Sequence, residues 1–238
     1  MRAAHVLGAL AALALVGGAP HAKPAAKPVK AAARDWTKVV AATPEGGFRM
    51  GSPAAPVAIV EYASLTCPHC RHFAETAMKP LLQNYVRTGK ASYEYRSMVL
   101  NKLDLAATLV ARCGGASRFF PLADKFYATQ PAWIARFEAL PAAEKARLQK
   151  LAQPQMMLGV AKATGLVPVA AAHGIAPARA RACLVDTGAA ERLAAMYQAA
   201  RDRGVKGTPT FFVNGVQVPA GDWPSLEPHL RSAGAERG

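Results

Sequence analysis

The sequence predicts an α/β fold in which one sheet is interrupted by a long block of helices, and three observations predict it. Residues 57–63 form a β-rich run followed at once by apolar residues at helical spacing. Residues 102–203 are dominated by alanine, leucine and arginine, with repeated helix punctuation. Residues 210–218 then return to strand character around Asn214-Gly215, the strongest short hairpin signal. With 238 residues, 52% of them hydrophobic, the chain can bury one core with a sizeable insertion, or two small domains.

Taken in order, the chain opens with Arg2, an apolar run from Val6 to Val16 and the small residues Gly17, Gly18 and Ala19, the layout of a secretory signal peptide. The run is shorter than the roughly 20 residues a membrane-spanning helix needs. Residues 1–22 are therefore expected to be a cleaved signal, and 23–42, beginning with alanine, lysine and proline and no hydrophobic face, a disordered spacer. The folded part starts over 43–101, with a short strand at 48–50, a turn, and the strand at 57–63, which reads as central. A helix follows Cys67: Pro68 sits in its first turn, where a missing N–H costs little, and Phe73, Ala77, Leu81 and Tyr85 share one face. Pro80 should kink it, Gly89 should close it, and 91–99 should form a second long strand.

Asn101 reads as the cap of a helical insertion over 102–203, with Gly114-Gly115 as a stop and Pro131, Pro141, Pro154, Pro168 and Pro177 as breaks. Its last helix, 188–203, takes Thr187 as its cap and places Arg201 and Arg203 where the helix dipole favours cations. The remaining part, 204–238, holds the hairpin and a helix from Trp223 capped by Asp222.

Lysine and arginine number 29 against 15 acids, a formal charge of +14. Such a balance fits nucleic acid, an anionic membrane surface or a basic soluble protein. The basic residues are scattered, with no aromatic-and-basic RNA motif and no zinc-finger spacing, so no nucleic-acid partner is expected. All four cysteines, Cys67, Cys70, Cys113 and Cys183, lie beyond the signal, and an even count in an exported chain makes two disulfides the simplest reading.

The chemistry concentrates in Cys67-Pro68-His69-Cys70. Two cysteines three apart at a helix start place their sulfurs on one face, close enough to bridge. The sulfur of Cys67 would sit at the helix N-terminus, where amide hydrogens and the dipole favour a thiolate. His69, when cationic, would favour the reduced form further and make the disulfide a stronger oxidant. Cys70, deeper in the helix, would be the resolving sulfur. A zinc site built on the pair and His72 is the competing reading, but structural zinc needs a second close pair, and Cys113 and Cys183 stand apart. His72 reads as a solvated helix residue and Met156-Met157 as core.

The strand–CPHC–helix unit, followed far downstream by Gly204 to Gly215 (GVKGTPTFFVNG), resembles the DsbA-like branch of the thioredoxin superfamily. The resemblance implies a thioredoxin fold with an inserted helical domain. It implies that Pro209 is cis and lies against the disulfide, and that Thr208 offers its backbone to an extended substrate peptide; the residues alone would make Pro209 an ordinary turn. It implies that Glu61, six residues before Cys67, is buried behind the cysteines as proton acceptor for Cys70, where the residues alone leave a carboxylate at a strand end reaching water. Some members carry a second, structural disulfide, which assigns Cys113 and Cys183 to one bridge; a redox-sensing pair is the rival.

The expected activity is that of a periplasmic thiol–disulfide oxidoreductase that donates its disulfide to exported proteins, with reoxidation by a membrane quinone-linked oxidase of the DsbB type. No cofactor or metal is expected, and a monomer is. Three rivals remain: a disulfide isomerase or reductase on the same site, a periplasmic copper chaperone holding the ion on Cys67 and Cys70, and a basic binding module on the same fold.

Overall fold

The computed structural model describes residues 34–235. The expected signal peptide and residues 23–33 of the expected spacer lie outside the described residues. Six strands form one sheet in the order β1-β2-β4-β3-β5-β6: β1 Val40–Ala42, β2 Phe48–Gly51, β3 Val57–Ala63, β4 Ala91–Ser97, β5 Thr210–Val213 and β6 Val216–Val218. The pair β3–β4 is parallel and every other neighbour antiparallel. Parallel strands joined by a crossover are covered on both faces, and β4 is accordingly buried at every residue but Arg96.

Residues 36–42 correct the expected spacer. Trp36–Lys38 forms a 3-10 turn capped by Asp35, and 40–42 is edge strand β1. Trp36 covers Gly89, whose positive φ (81°) and missing Cβ leave room for the indole. Val-Ala-Ala carries no alternation that would mark β1 as a strand.

The crossover from β3 to β4 is one predicted helix in three pieces: α1 Pro68–Thr76, α2 Met78–Leu81 and a π-helical turn over Leu82–Val86. Pro80 has no N–H for the carbonyl four residues back, and the break falls one turn before it, at Ala77. Between β4 and β5 come the inserted helices: α3 Lys102–Arg112, α4 Ala116–Ala128, α5 Gln130–Glu138, α6 Ala142–Gln149, α7 Gln153–Thr164, α8 Leu166–Ala172, α9 Pro177–Leu184 and α10 Thr187–Asp202. After β6 comes α11, Trp223–Ser232, entered through an Asp222–Ser225 capping box.

The expected breaks fall between helices: Pro131, Pro154, Pro168 and Pro177 lie in the first turns of α5, α7, α8 and α9, and Pro141 is the N-cap of α6. One detail of the insertion differs from expectation. Asp186, not Thr187, caps α10 by accepting from the Ala189 N–H at 2.8 Å.

Aromatic side chains join the layers. Phe119 of α4 contacts Phe48 of β2 and Tyr95 of β4 at centroid distances of 4.6 and 5.0 Å, and Phe73 of α1 contacts Phe211 of β5 at 4.5 Å. The hairpin is fastened at its tip: Asn214 and Gly215 both take positive φ, and Asn214 Oδ1 accepts from the Ala58 N–H at 2.8 Å, pinning the turn to the start of β3.

Candidate active site

The site lies where β3 runs out. A residue before proline is held extended, so Cys67 (φ −78°, ψ 122°) cannot join the helix and becomes the N-cap of α1, with Pro68 as its first residue. That places the Cys67 sulfur over the open end of α1 and carries Cys70 one turn inside. Both thiols are free in this structure. Cys67 is 5% exposed and Cys70 1%, so the first sulfur is the one a partner can reach.

The two cysteines ionise very differently. The Cys67 thiol is pulled down from 9.0 to about 5, chiefly by a hydrogen bond from the Cys70 thiol. Burial opposes this shift, while the Thr208 side chain and the amides of Cys70 and His69 assist it. None of these amides closes a full capping hydrogen bond on the sulfur. As a thiol, Cys67 donates to the Thr208 carbonyl at 3.2 Å; the Thr208 hydroxyl is buried without another partner. Cys70 is pushed well above 9.0 by burial, by its role as donor to Cys67 and by the nearby Glu61 carboxylate.

Glu61 is buried at 2% exposure, so its carboxylate does not reach water. Burial raises its pKa to about 8, although the Tyr93 hydroxyl donates to Oε2 and works in the other direction. Glu61, Cys70, Tyr93 and Asp124 line a cavity of about 10 Å³, at the lower limit of the space one water molecule needs.

His69 is exposed, and its backbone amide assists the downward shift of the Cys67 thiol. Pro209 follows a cis peptide bond and leads into β5, bringing Thr208 against Cys67. Cys113, at the end of α3, and Cys183, in the last turn of α9, form a disulfide with Cα atoms 5.8 Å apart. His72 is exposed and Met156 and Met157 belong to the core. Among the described residues no three His, Cys, Asp or Glu side chains converge as a metal site would require.

Four side chains that sequence reasoning missed surround this centre. Tyr93 binds Glu61, while Asp104, Tyr127 and Gln130 reach from the insertion to the backbone between β3 and α1. Only Asp104 left a local trace, as the third residue of a helix capped by Asn101, whose Oδ1 accepts from its N–H at 2.9 Å.

A family model described as thioredoxin matches residues 43–230. The chain belongs to the thioredoxin family. A crystal structure of a protein-disulfide isomerase from Novosphingobium aromaticivorans is 31% identical and superposes with a TM-score of 0.73, over 77% of this chain and 95% of that one. Alpha-DsbA1 of Wolbachia pipientis, 20% identical with a TM-score of 0.65 over 81% and 92% of the two chains, shares the fold. A relative from Rickettsia bellii named as a protein-disulfide oxidoreductase is 30% identical, and one from Rickettsia typhi likewise; each aligns with 76% of this chain, which spans 62% and 60% of their respective lengths. The architecture is the DsbA-like one, a thioredoxin fold with helices inserted between β4 and β5.

Proposed function

We propose that this member of the thioredoxin family is an exported thiol–disulfide oxidoreductase that passes its Cys67–Cys70 disulfide to other exported proteins. The observation that carries the reading is the split between the two sulfurs: Cys67 near 5 and Cys70 well above 9. In the oxidised protein, a substrate thiolate attacks Cys67 Sγ, a substrate–Cys67 disulfide forms, and the Cys67–Cys70 bond breaks. The departing Cys70 sulfur is a poor anion in its buried place and takes a proton. Glu61, with a pKa of about 8, holds one at neutral pH on the wall of the same cavity, so it serves here as donor and in the reverse direction as acceptor. A second substrate thiolate then attacks the substrate sulfur, and Cys67 leaves as the stabilised thiolate. Two electrons have moved from substrate to protein, and a substrate disulfide has formed.

The signal-like N-terminus favours the periplasm as the place of action, and reduced exported proteins as substrates. Regeneration requires an oxidant that accepts the two electrons, for which a membrane quinone-linked oxidase of the DsbB type is the expected partner. The isomerase named in Novosphingobium favours a second reading on the same site, in which the reduced form is the working form. Equilibration with glutathione buffers separates the two: the donor reading expects a potential nearer the about −120 mV of strong oxidants, and a value near the about −270 mV of thioredoxin would overturn it.

A further inference from the structure

The four residues between the end of β3 and the start of α1 are held largely by the inserted helices. The Tyr127 hydroxyl donates to the Ser64 carbonyl at 3.1 Å, and Asp104 Oδ1 accepts from the Leu65 N–H at 3.0 Å. Asn101 Nδ2 donates to Thr66 Oγ1 at 3.2 Å. Gln130 does most: its single Nε2 donates to the Leu65 carbonyl at 2.9 Å and to the Cys67 carbonyl at 3.0 Å. Every residue from Ser64 to Cys67 thus has a partner on the insertion or at its threshold.

Gln130 is buried at 3% exposure and opens α5. The turn that presents it is itself fixed, because Trp133 Nε1 donates across it to the Phe126 carbonyl at 2.9 Å. A buried amide nitrogen has two protons, and both are used on the loop carrying Cys67, a pairing that little else in the neighbourhood could replace. Two carbonyls two residues apart, tied to one nitrogen, fix the Leu65–Thr66 and Cys67–Pro68 peptide planes and with them the ψ of Cys67, whose carbonyl also accepts from the Arg71 N–H of α1 at 3.1 Å. Those angles decide whether the Cys67 sulfur faces the Cys70 thiol, the Thr208 hydroxyl and the first amides of α1.

We infer that Gln130 is a positioning residue for Cys67: through its paired hydrogen bonds the helical insertion, and not α1 alone, aims the sulfur at the groups that hold it as an anion. This rests on the reading of Cys67 as the nucleophile. The insertion then has a function in the redox centre itself, since a loop fastened only by β3 and α1 would let the Cys67 side chain swing away from its donors. Asp104 supports the same loop from its other side, accepting from the Leu65 and Leu100 N–H groups at 3.0 and 2.9 Å.

Gln130→Met keeps the length and burial of the side chain and removes the donor. The test is the pH profile of iodoacetamide alkylation of Cys67 in the reduced, folded protein, wild type beside variant. The wild-type midpoint is expected near 5. A variant midpoint raised to about 6 lowers the alkylation rate at pH 5 roughly fivefold, because only the thiolate reacts. A wild-type midpoint near 5 with an identical Gln130→Met midpoint, whatever happens to the melting temperature, overturns the inference and leaves the proposed function standing. A wild-type midpoint at the ordinary value of about 8.5 overturns both. Should Gln130→Met fail to fold, Gln130→Leu carries the test: it too removes the Nε2 donor from the Leu65 and Cys67 carbonyls, and an unchanged midpoint there counts equally against the inference.

Discussion

The stability of the reduced protein, compared with the oxidised one, should depend on pH in a way fixed by Cys67. In the folded reduced state the Cys67 thiol is pulled from 9.0 to about 5. A depressed pKa stabilises the fold fully above the unfolded value and loses that stabilisation as pH falls through the folded one. At pH 7 the folded thiol is ionised and the unfolded one is not, a separation of two pH units from the folded value, or about 2.7 kcal/mol. Screening by solvent at a partly open site reduces this to about 2 kcal/mol. At pH 4 both states are protonated and the contribution vanishes. For a fold of this size the loss corresponds to about 4–8 °C in Tm. The assay is calorimetry of reduced and oxidised protein at pH 7 and pH 4, taking the difference between redox forms at each pH. Glu61 and Asp104 titrate in both forms and largely cancel. The reduced-minus-oxidised Tm should fall by that amount from pH 7 to pH 4; a difference that stays constant would refute the reasoning.

Four further outcomes follow from the same structure. Glu61→Gln should slow the first exchange step and abolish the decline that wild type shows as pH rises through about 8, after correction for ionisation of the substrate thiol; stopped-flow kinetics reads both. Because burial raises the Glu61 pKa from 4.5 to about 8, wild-type stability falls progressively as pH rises between those values and is flat above, so the Gln variant should gain on wild type in a denaturant titration from pH 5 to pH 8. Removing the second disulfide by Cys113→Ala with Cys183→Ala opens a 70-residue loop and should cost about 4 kcal/mol in a urea titration, with the Cys67 midpoint unmoved. Cys70→Ala, mixed with a substrate in its disulfide form, should accumulate the substrate–Cys67 mixed disulfide, because the Cys67 thiolate attacks the substrate disulfide, expels one substrate thiolate and has no resolving thiol; mass spectrometry reads a covalent adduct released by dithiothreitol.

Much of this was legible in the sequence wherever the physics is local. Cys67 and Cys70 share one helical turn, Pro68 fixes where that turn begins, and Asn214-Gly215 supplies the two positive φ angles its hairpin turn needs. Edge strand β1 was not legible, because its pairing with β2 is supplied by tertiary contact and not by any pattern in Val-Ala-Ala. The insertion's prolines were visible but ambiguous: proline interrupts a helix and also begins one, and only the neighbouring turns decide.

The surroundings of the sulfur are where sequence was silent. Tyr93 meets Glu61 across 32 residues, Asp104 meets Leu65 across 39 and Gln130 meets Leu65 across 65, spacings with no periodic signature. At His69 the contribution the structure adds is that of its backbone amide to the Cys67 thiol, a group that every residue but proline carries and that no motif marks. Motif position fixed which residues were adjacent in the chain, and packing decided which of their atoms face the sulfur.

The central claim is that the fold holds Cys67 as a thiolate at neutral pH. Following the ultraviolet absorbance of the thiolate in the reduced, folded protein across pH 3–9 tests it without a substrate or a variant. A single transition centred near 5 is the predicted result; absorbance that appears only towards about 8.5, as for a free cysteine in water, would contradict it.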